Sequence, residues 1–203
     1  MQNPISFKYK RRLKSSEYSD RVGEMVHNLE PGDIIFYHGT GAVGNAIRKF
    51  TGEDTTHTSI YLGDGEFGEA TYYHFGLAKR GAIESKSAKK SMSHSKKIEV
   101  YRPKTREETK RKAVDFVREH EGRFNRYDGW NSFKYIANIL PFLKLKQTKR
   151  KNKFYCSNLA MEAYKRAGSF DILKNVEVDN KRWILPSDIA KSDELIIVGE
   201  FSL

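Results

Sequence analysis

The sequence predicts an α+β domain with mainly antiparallel strands, and three observations carry that prediction. Short β-branched and aromatic runs bounded by Gly and Pro fill the first half, as in "PGDIIFYHG" and "HTSIYLGDGEFGEA". Helical patterns with an apolar side follow, as in "TREETKRKAVDFVREHEG" and "CSNLAMEAYKRAG". One more strand-like run, "LIIVGEF", closes the chain. Strands grouped together, then helices, is an α+β order. A chain of 203 residues suits one domain with a sizeable core.

Residues 1–28 are polar and charged without clear helix or strand period, which predicts a basic arm, with the folded domain over 29–203. A Pro-Gly-Asp turn precedes the apolar run Ile34 to Tyr37, which reads as a buried strand stopped by glycines. "AVGNAIRKFTG" suits a short helix ending at Gly52, and Thr58 to Ala70 a hairpin. "AKRGAIESKSAKKSMSHSKK" reads as a Ser/Lys loop, and Lys96 to Pro103 as a strand ended by its proline.

In the second half, Thr105 and Glu108 have capping-box spacing ahead of Ala113, Val114, Phe116 and Val117, and Gly122 closes that helix. A further helix is expected over Asn131 to Leu140, ended by Pro141. Leu159, Ala160, Ala163 and Tyr164 then mark a helix from Cys156 to Ala167, with Gly168 as its stop. A helical turn at Ser187 and a strand from Leu195 to Phe201 end the chain.

Charge and cysteine content bound the function. Lys and Arg total 37 against 26 Asp and Glu, a formal charge of +11, so the surface attracts polyanions. The single cysteine cannot form an internal disulfide, so nothing implies an oxidising compartment. No apolar stretch approaches the ~20 residues of a membrane span, and the N-terminal segment lacks a signal-peptide core. The expectation is a cytoplasmic protein with no transmembrane segment.

The chemistry centres on Cys156. A thiol in a helix's first turn feels the positive end of the helix dipole, which favours the thiolate; the plainer reading is a small apolar core residue. A nucleophilic thiol needs a base, and the base needs a polar group to fix its ring. Of six histidines, His27, His94 and His120 have simple solvent-exposed explanations, while His38 and His74 are harder to dismiss. His57 stands out at the head of a strand beside small residues, although a strand-edge histidine facing solvent has the same sequence.

Turn length decides which carboxylate serves His57. If Gly63, Asp64 and Gly65 form a three-residue loop, Ser59 faces Glu69, and Glu69 shares the face of His57. Glu66 and His74 then point to the other face. A two-residue Asp64-Gly65 turn reverses the assignment and sets Glu69 opposite Ile60.

The strings "PGDIIFYHG", "THTSIYLGDGEFGEA", "IEVYRP", "EGRFNRYDGW", "FYCSNLAMEAYKRAG" and "LPSDIAKSDEL" resemble the YiiX-like, circularly permuted members of the NlpC-type, papain-like cysteine peptidase and amidase superfamily. They cover most of the chain from about Leu29. An early strand histidine with a late helix cysteine is the mark of the permutation. The resemblance implies a circularly permuted papain-like (NlpC-type) fold, a small antiparallel sheet packed against helices. It also implies Cys156 as nucleophile, His57 as general base and then acid, Glu69 as the group orienting the ring, and Tyr127 as a pocket residue. No cofactor and no metal are implied. The long basic segment before the cysteine and the basic arm depart from the family pattern.

The activity implied is hydrolysis of an amide, peptide-like bond through a thioester, on a peptide-like or acylated substrate that can be anionic. Acyl transfer or lipid-ester cleavage by the same triad stays open. A second class of reading is a non-catalytic polyanion or nucleic-acid binder, drawn from the net charge and the basic loop 144–153. Zinc held by Cys156 and two histidines finds no supporting spacing.

Overall fold

The computed structural model of the chain describes residues 5–7, 15–39, 45, 48, 49, 52–72, 81–87, 95–121, 156–177 and 184–202. Its strands are β1 (Ile5–Phe7), β2 (Ile34–Gly39), β3 (His57–Gly63), β4 (Glu66–Tyr72), β5 (Gly81–Ser87), β6 (Ser95–Pro103) and β7 (Leu195–Ser202). Its helices are α1 (Ser15–His27), α2 (Glu107–His120), α3 (Cys156–Gly168) and α4 (Pro186–Ala190). The strands form one sheet in the order β1-β7-β6-β2-β3-β4-β5. Each neighbouring pair is antiparallel except β1 with β7. The α+β class and the antiparallel sheet packed against helices are as the sequence predicts.

Strand β2 is central because its sequence leaves neither face polar. Ile34, Ile35, Phe36 and Tyr37 are all buried, with the first three fully so. Alternate residues feed two cores. Ile34, Phe36, Ile60, Leu62 and Ala70 pack beneath α2 and α3, against Ala113, Val117, Leu159 and Tyr164. Ile35, Tyr37, Tyr61, Phe67, Ile98, Val100 and Phe201 form the other core, closed by Val22 of α1. A strand covered on both faces reads as an unbroken apolar run, which is what "IIFY" is.

Two glycines permit this packing. A Cβ at Gly68 would overlap Val117 Cγ1, so its absence lets α2 lie close on β4. Gly32, at φ +98°, adopts the left-handed region of the Pro-Gly-Asp turn, and its carbonyl accepts a hydrogen bond from the Tyr164 hydroxyl. Asp33, which follows it, is fully buried. The Arg102 guanidinium grips its two oxygens at 2.8 Å each, and the Glu30 amide donates to it at 2.8 Å. Arg102 and Lys110 both hold Glu30, at 2.6 and 3.0 Å, which ties α2 to the sheet.

The structure departs from the sequence reading in three places. Residues 15–27, expected in an arm without regular structure, form α1, and Ile5–Phe7 add a parallel edge strand to β7. Part of the expected Ser/Lys loop is β5, paired with β4 along seven residues. Helix α2 starts after Arg106 with no side-chain cap, so the capping box read at Thr105 and Glu108 does not form; Glu108 instead bonds Lys112 at 2.7 Å. Asn45, Arg48 and Lys49 are helical within the stretch expected to be a helix. The helix expected over 131–140, the basic loop 144–153, His74, His94 and Tyr127 lie outside the described residues.

Candidate active site

The hairpin tip sets the geometry. Asp64 and Gly65 both have positive φ, 53° and 74°, and form a two-residue turn with Gly63 opposite Glu66. Left alone, that turn would set Glu69 opposite Ile60, on the helix-covered face. Between Tyr61 and Gly63, however, the register shifts: β3 carries one extra residue, Leu62, and the ladder continues as Tyr61 with Phe67 and Ile60 with Gly68. Continued by one step, this register sets Ser59 opposite Glu69. The short turn and the register expected for the longer one therefore coexist, reconciled by a bulge.

That register brings Glu69 to His57. Their closest atoms, Oε2 and Nε2, are 3.6 Å apart, with the carboxylate side chain 4% exposed and the imidazole 30% exposed. Because Nε2 is turned to Glu69, Nδ1 is the ring nitrogen left for a third group. Glu66, the other hairpin carboxylate, pairs with Arg118 of α2 at 3.3 Å and takes no part.

The third group is Cys156, the first residue of α3, half-buried. His57 opens β3 at the end of the sheet, so a thiol arriving from the helix-covered face meets it there. The thiol's electrostatic environment is set by His57 and by the backbone amides of Ser157 and Thr58, each of which favours the thiolate. Helix α3 is pinned behind it, since the Ser157 hydroxyl donates to the Ile184 carbonyl at 2.7 Å and Leu159, Ala160, Ala163 and Tyr164 are buried. The thiol thus lies at a helix N-terminus, where the dipole and the unpaired first-turn amides favour negative charge.

The electrostatics favour a thiolate–imidazolium pair. Burial pushes the Cys156 thiol up, but the hydrogen bond and charge of His57, with the two backbone amides, bring it below its ordinary value. Burial likewise pulls His57 down, yet the bonds and charges of Cys156 and Glu69 outweigh it and raise the imidazole to about 10. Such a pair can supply a nucleophile and a proton donor at the same pH.

The structure thus brings Cys156, His57 and Glu69 together, while Tyr127 lies outside the described residues. His38, the histidine on the opposite face of β2 from Tyr37, is buried beside Glu99 at 3.4 Å, in a cluster with Lys97 and Glu200. The sequence reading gave neither Tyr37 nor Ser59 a role in the site. Tyr37 is the β2 partner of His57, its ring centroid 5.6 Å from the imidazole at 37°, and its hydroxyl lies 2.7 Å from the Ser59 hydroxyl. The strand pattern "FYHG" places Tyr37 along β2 but does not give the register across to β3.

Among the described residues no cluster of three or more His, Cys, Asp or Glu side chains is arranged to hold a metal ion, and no helix is long and apolar enough to cross a membrane.

Known proteins share this fold. Residues 28–199 match the model of a family described as permuted papain-like amidase enzymes, YaeF/YiiX, C92 family. The chain is 24% identical over 190 residues to the probable lipoprotein peptidase YaeF of Escherichia coli (strain K12), covering 80% of this chain and 63% of that protein. The chain therefore spans less than two thirds of that relative's length. A solved structure titled metalloprotein yiiX, from Escherichia coli O157:H7, superposes with a TM-score of 0.60 at 17% identity, covering 86% of this chain and 98% of that one, which shows a shared fold. With its histidine strand before its cysteine helix and its match over 28–199, the chain belongs to the permuted papain-like amidase family of YaeF and YiiX.

Proposed function

We propose that the protein is a thiol hydrolase that cleaves an amide bond of a peptide-like or acylated substrate through Cys156, His57 and Glu69. The observation that supports this most is the convergence of a helix-terminal thiol, a strand histidine and a buried carboxylate in one chain of contacts.

The Cys156 thiolate attacks the carbonyl carbon, forming the C–S bond as the carbonyl π pair moves to oxygen. The Cys156 amide, at the free end of α3, donates to that oxyanion. Collapse of the intermediate breaks the C–N bond, and His57 gives its proton to the departing amine. The thioester remains. Neutral His57 next takes a proton from water, whose oxygen attacks the thioester, and the C–S bond breaks to release the acid and restore the thiolate. Glu69 stabilises the imidazolium at each turn without taking its proton.

Acyl-amide and ester probes, followed by intact mass measurement, test the reading. It requires the acyl mass on Cys156 and none on Cys156→Ala. Release of free acid, rather than its appearance on an added amine or alcohol, separates hydrolysis from acyl transfer. A cytoplasmic site for the reaction is part of the proposal, and cell fractionation checks it.

A further inference from the structure

An imidazole turns easily about its ring bond, because a terminal torsion between sp³ and sp² atoms is broad. His57 is partly open to solvent, so its orientation depends on what stands against its ring faces. One such group is Tyr37, 2% exposed, whose ring lies 5.6 Å from the imidazole across the β2–β3 pairing. The Tyr37 hydroxyl does not reach water; it lies 2.7 Å from the hydroxyl of Ser59, itself 1% exposed. Ser59 lies two residues beyond His57 on the same face of β3 and, by the register, opposite Glu69.

We propose that Tyr37 is a positioning residue for the His57–Glu69 pair, its ring backing the imidazole and its hydroxyl acting through Ser59 on the carboxylate. The phenol is the stronger acid of the two hydroxyls, so it donates to Ser59. The serine proton is then free to turn across the strands, where directly opposed side chains stand ~4.5–5.5 Å apart at Cβ. A carboxylate that is 3% exposed is held in its charged form by such a donor together with the imidazolium beside it. Tyr37 thereby acts on both members of the pair from one strand. The titratable groups set against the imidazole are Glu69 from β4, Cys156 from α3 and Tyr37 from β2. The proposal rests on the reading of Cys156, His57 and Glu69 as one unit.

The test is the pH profile of Cys156 alkylation by iodoacetamide, which needs no substrate, measured for the wild type, Tyr37→Phe, Ser59→Ala and the double variant. Each single variant is expected to raise the midpoint by half a unit or more, about a threefold loss of thiolate on the rising limb. The double variant is expected to move no further than the larger single one, because the two hydroxyls act in series. A midpoint equal to wild type in Ser59→Ala, or fully additive shifts, overturns the proposal, and Ser59→Ala decides it alone if Tyr37→Phe does not fold. A wild-type midpoint at the ordinary thiol value sinks the underlying triad reading, whereas a low wild-type midpoint unmoved by the variants sinks only the role of Tyr37.

Discussion

His57 Nε2 and Glu69 Oε2 face each other at 3.6 Å across the β3–β4 pairing, with the carboxylate almost wholly out of water. A buried carboxylate beside a histidine fixes the ring and stabilises its protonated form. Glu69→Gln keeps the volume and an oxygen that still accepts from the ring but removes the charge. Turnover should fall roughly ten- to a hundredfold, part of the ~10²–10⁴ that acid–base catalysis supplies. Glu66→Gln, which loses only an exposed pair with Arg118, should stay near wild type. Equal losses in the two variants would contradict the observed register.

The charge state of the pair gives a pH profile with both limbs specified. Iodoacetamide should alkylate Cys156 well below the unperturbed thiol value of ~8.5, because His57 and the helix amides favour the thiolate. The other limb belongs to His57. Its imidazolium is present below about 10 and is lost above it, so turnover should decline as pH rises through that value. An alkylation rate that climbs only near the ordinary thiol value would show that Cys156 is not activated.

Gly68 precedes Glu69 and lies under α2. In Gly68→Ala the added methyl meets Val117 and the Leu62 methyls, neither able to retreat from a filled core. The variant should lose ~1–3 kcal/mol by urea denaturation, the usual cost of overpacking. An unchanged midpoint would mean that α2 can lift from β4 freely.

Arg102→Leu removes the fork from Asp33, leaving a fully buried carboxylate that still accepts from the Glu30 amide but has no cation beside it. The expected loss at neutral pH is ~3–5 kcal/mol. Burial already holds Asp33 above its ordinary value despite Arg102, and without the guanidinium the carboxyl rises further. A folded value above the unfolded one means that stability is greatest at low pH and is lost as pH rises through the folded value. The deficit of Arg102→Leu should therefore shrink between pH 7 and pH 5 in urea titrations. A deficit that grows on acidification would contradict this account.

The basic segment is separable from the chemistry if it serves only to bind polyanions. Replacing Lys149, Arg150, Lys151 and Lys153 by Gln should lower the salt dependence of binding to a nucleic-acid or acidic polymer, by up to ~0.9 in log–log slope for each phosphate no longer neutralised. Turnover of a small uncharged substrate should be unaffected. Loss of that turnover would instead make the segment part of the substrate site.

What the sequence disclosed follows from how strongly each stretch is constrained. Ile34 to Tyr37 were legible because a strand buried on both faces tolerates no polar residue. Cys156 and His57 were legible because a helix start and a strand head are local signals, and family resemblance joined them. Helix α1 was not, since its core contact rests on Val22, with Met25 and Val26 only partly buried, in an otherwise charged segment. Strand β5 was hidden for the opposite reason: as the last strand in the sheet order it can carry "GAIESKS", which has the composition of a loop. The contact of Tyr37 with His57 depends on pairing between strands, for which one strand's residues carry no signal.

The extra residue at Leu62 makes the β3–β4 tip a counting device. Hairpin tips are ordinarily where chains gain and lose residues most freely. Here loss of the bulge with every residue kept, so that Leu62 paired with Phe67 above the same Asp64-Gly65 turn, would slide β4 by one position, and every side chain of that strand would change sides relative to β3. Glu69 would enter the apolar layer under α3, and a small residue would stand where the carboxylate now meets His57. Insertions and deletions at this tip are therefore constrained by parity, so that natural length variants should differ there by even numbers of residues, or carry a compensating change of bulge.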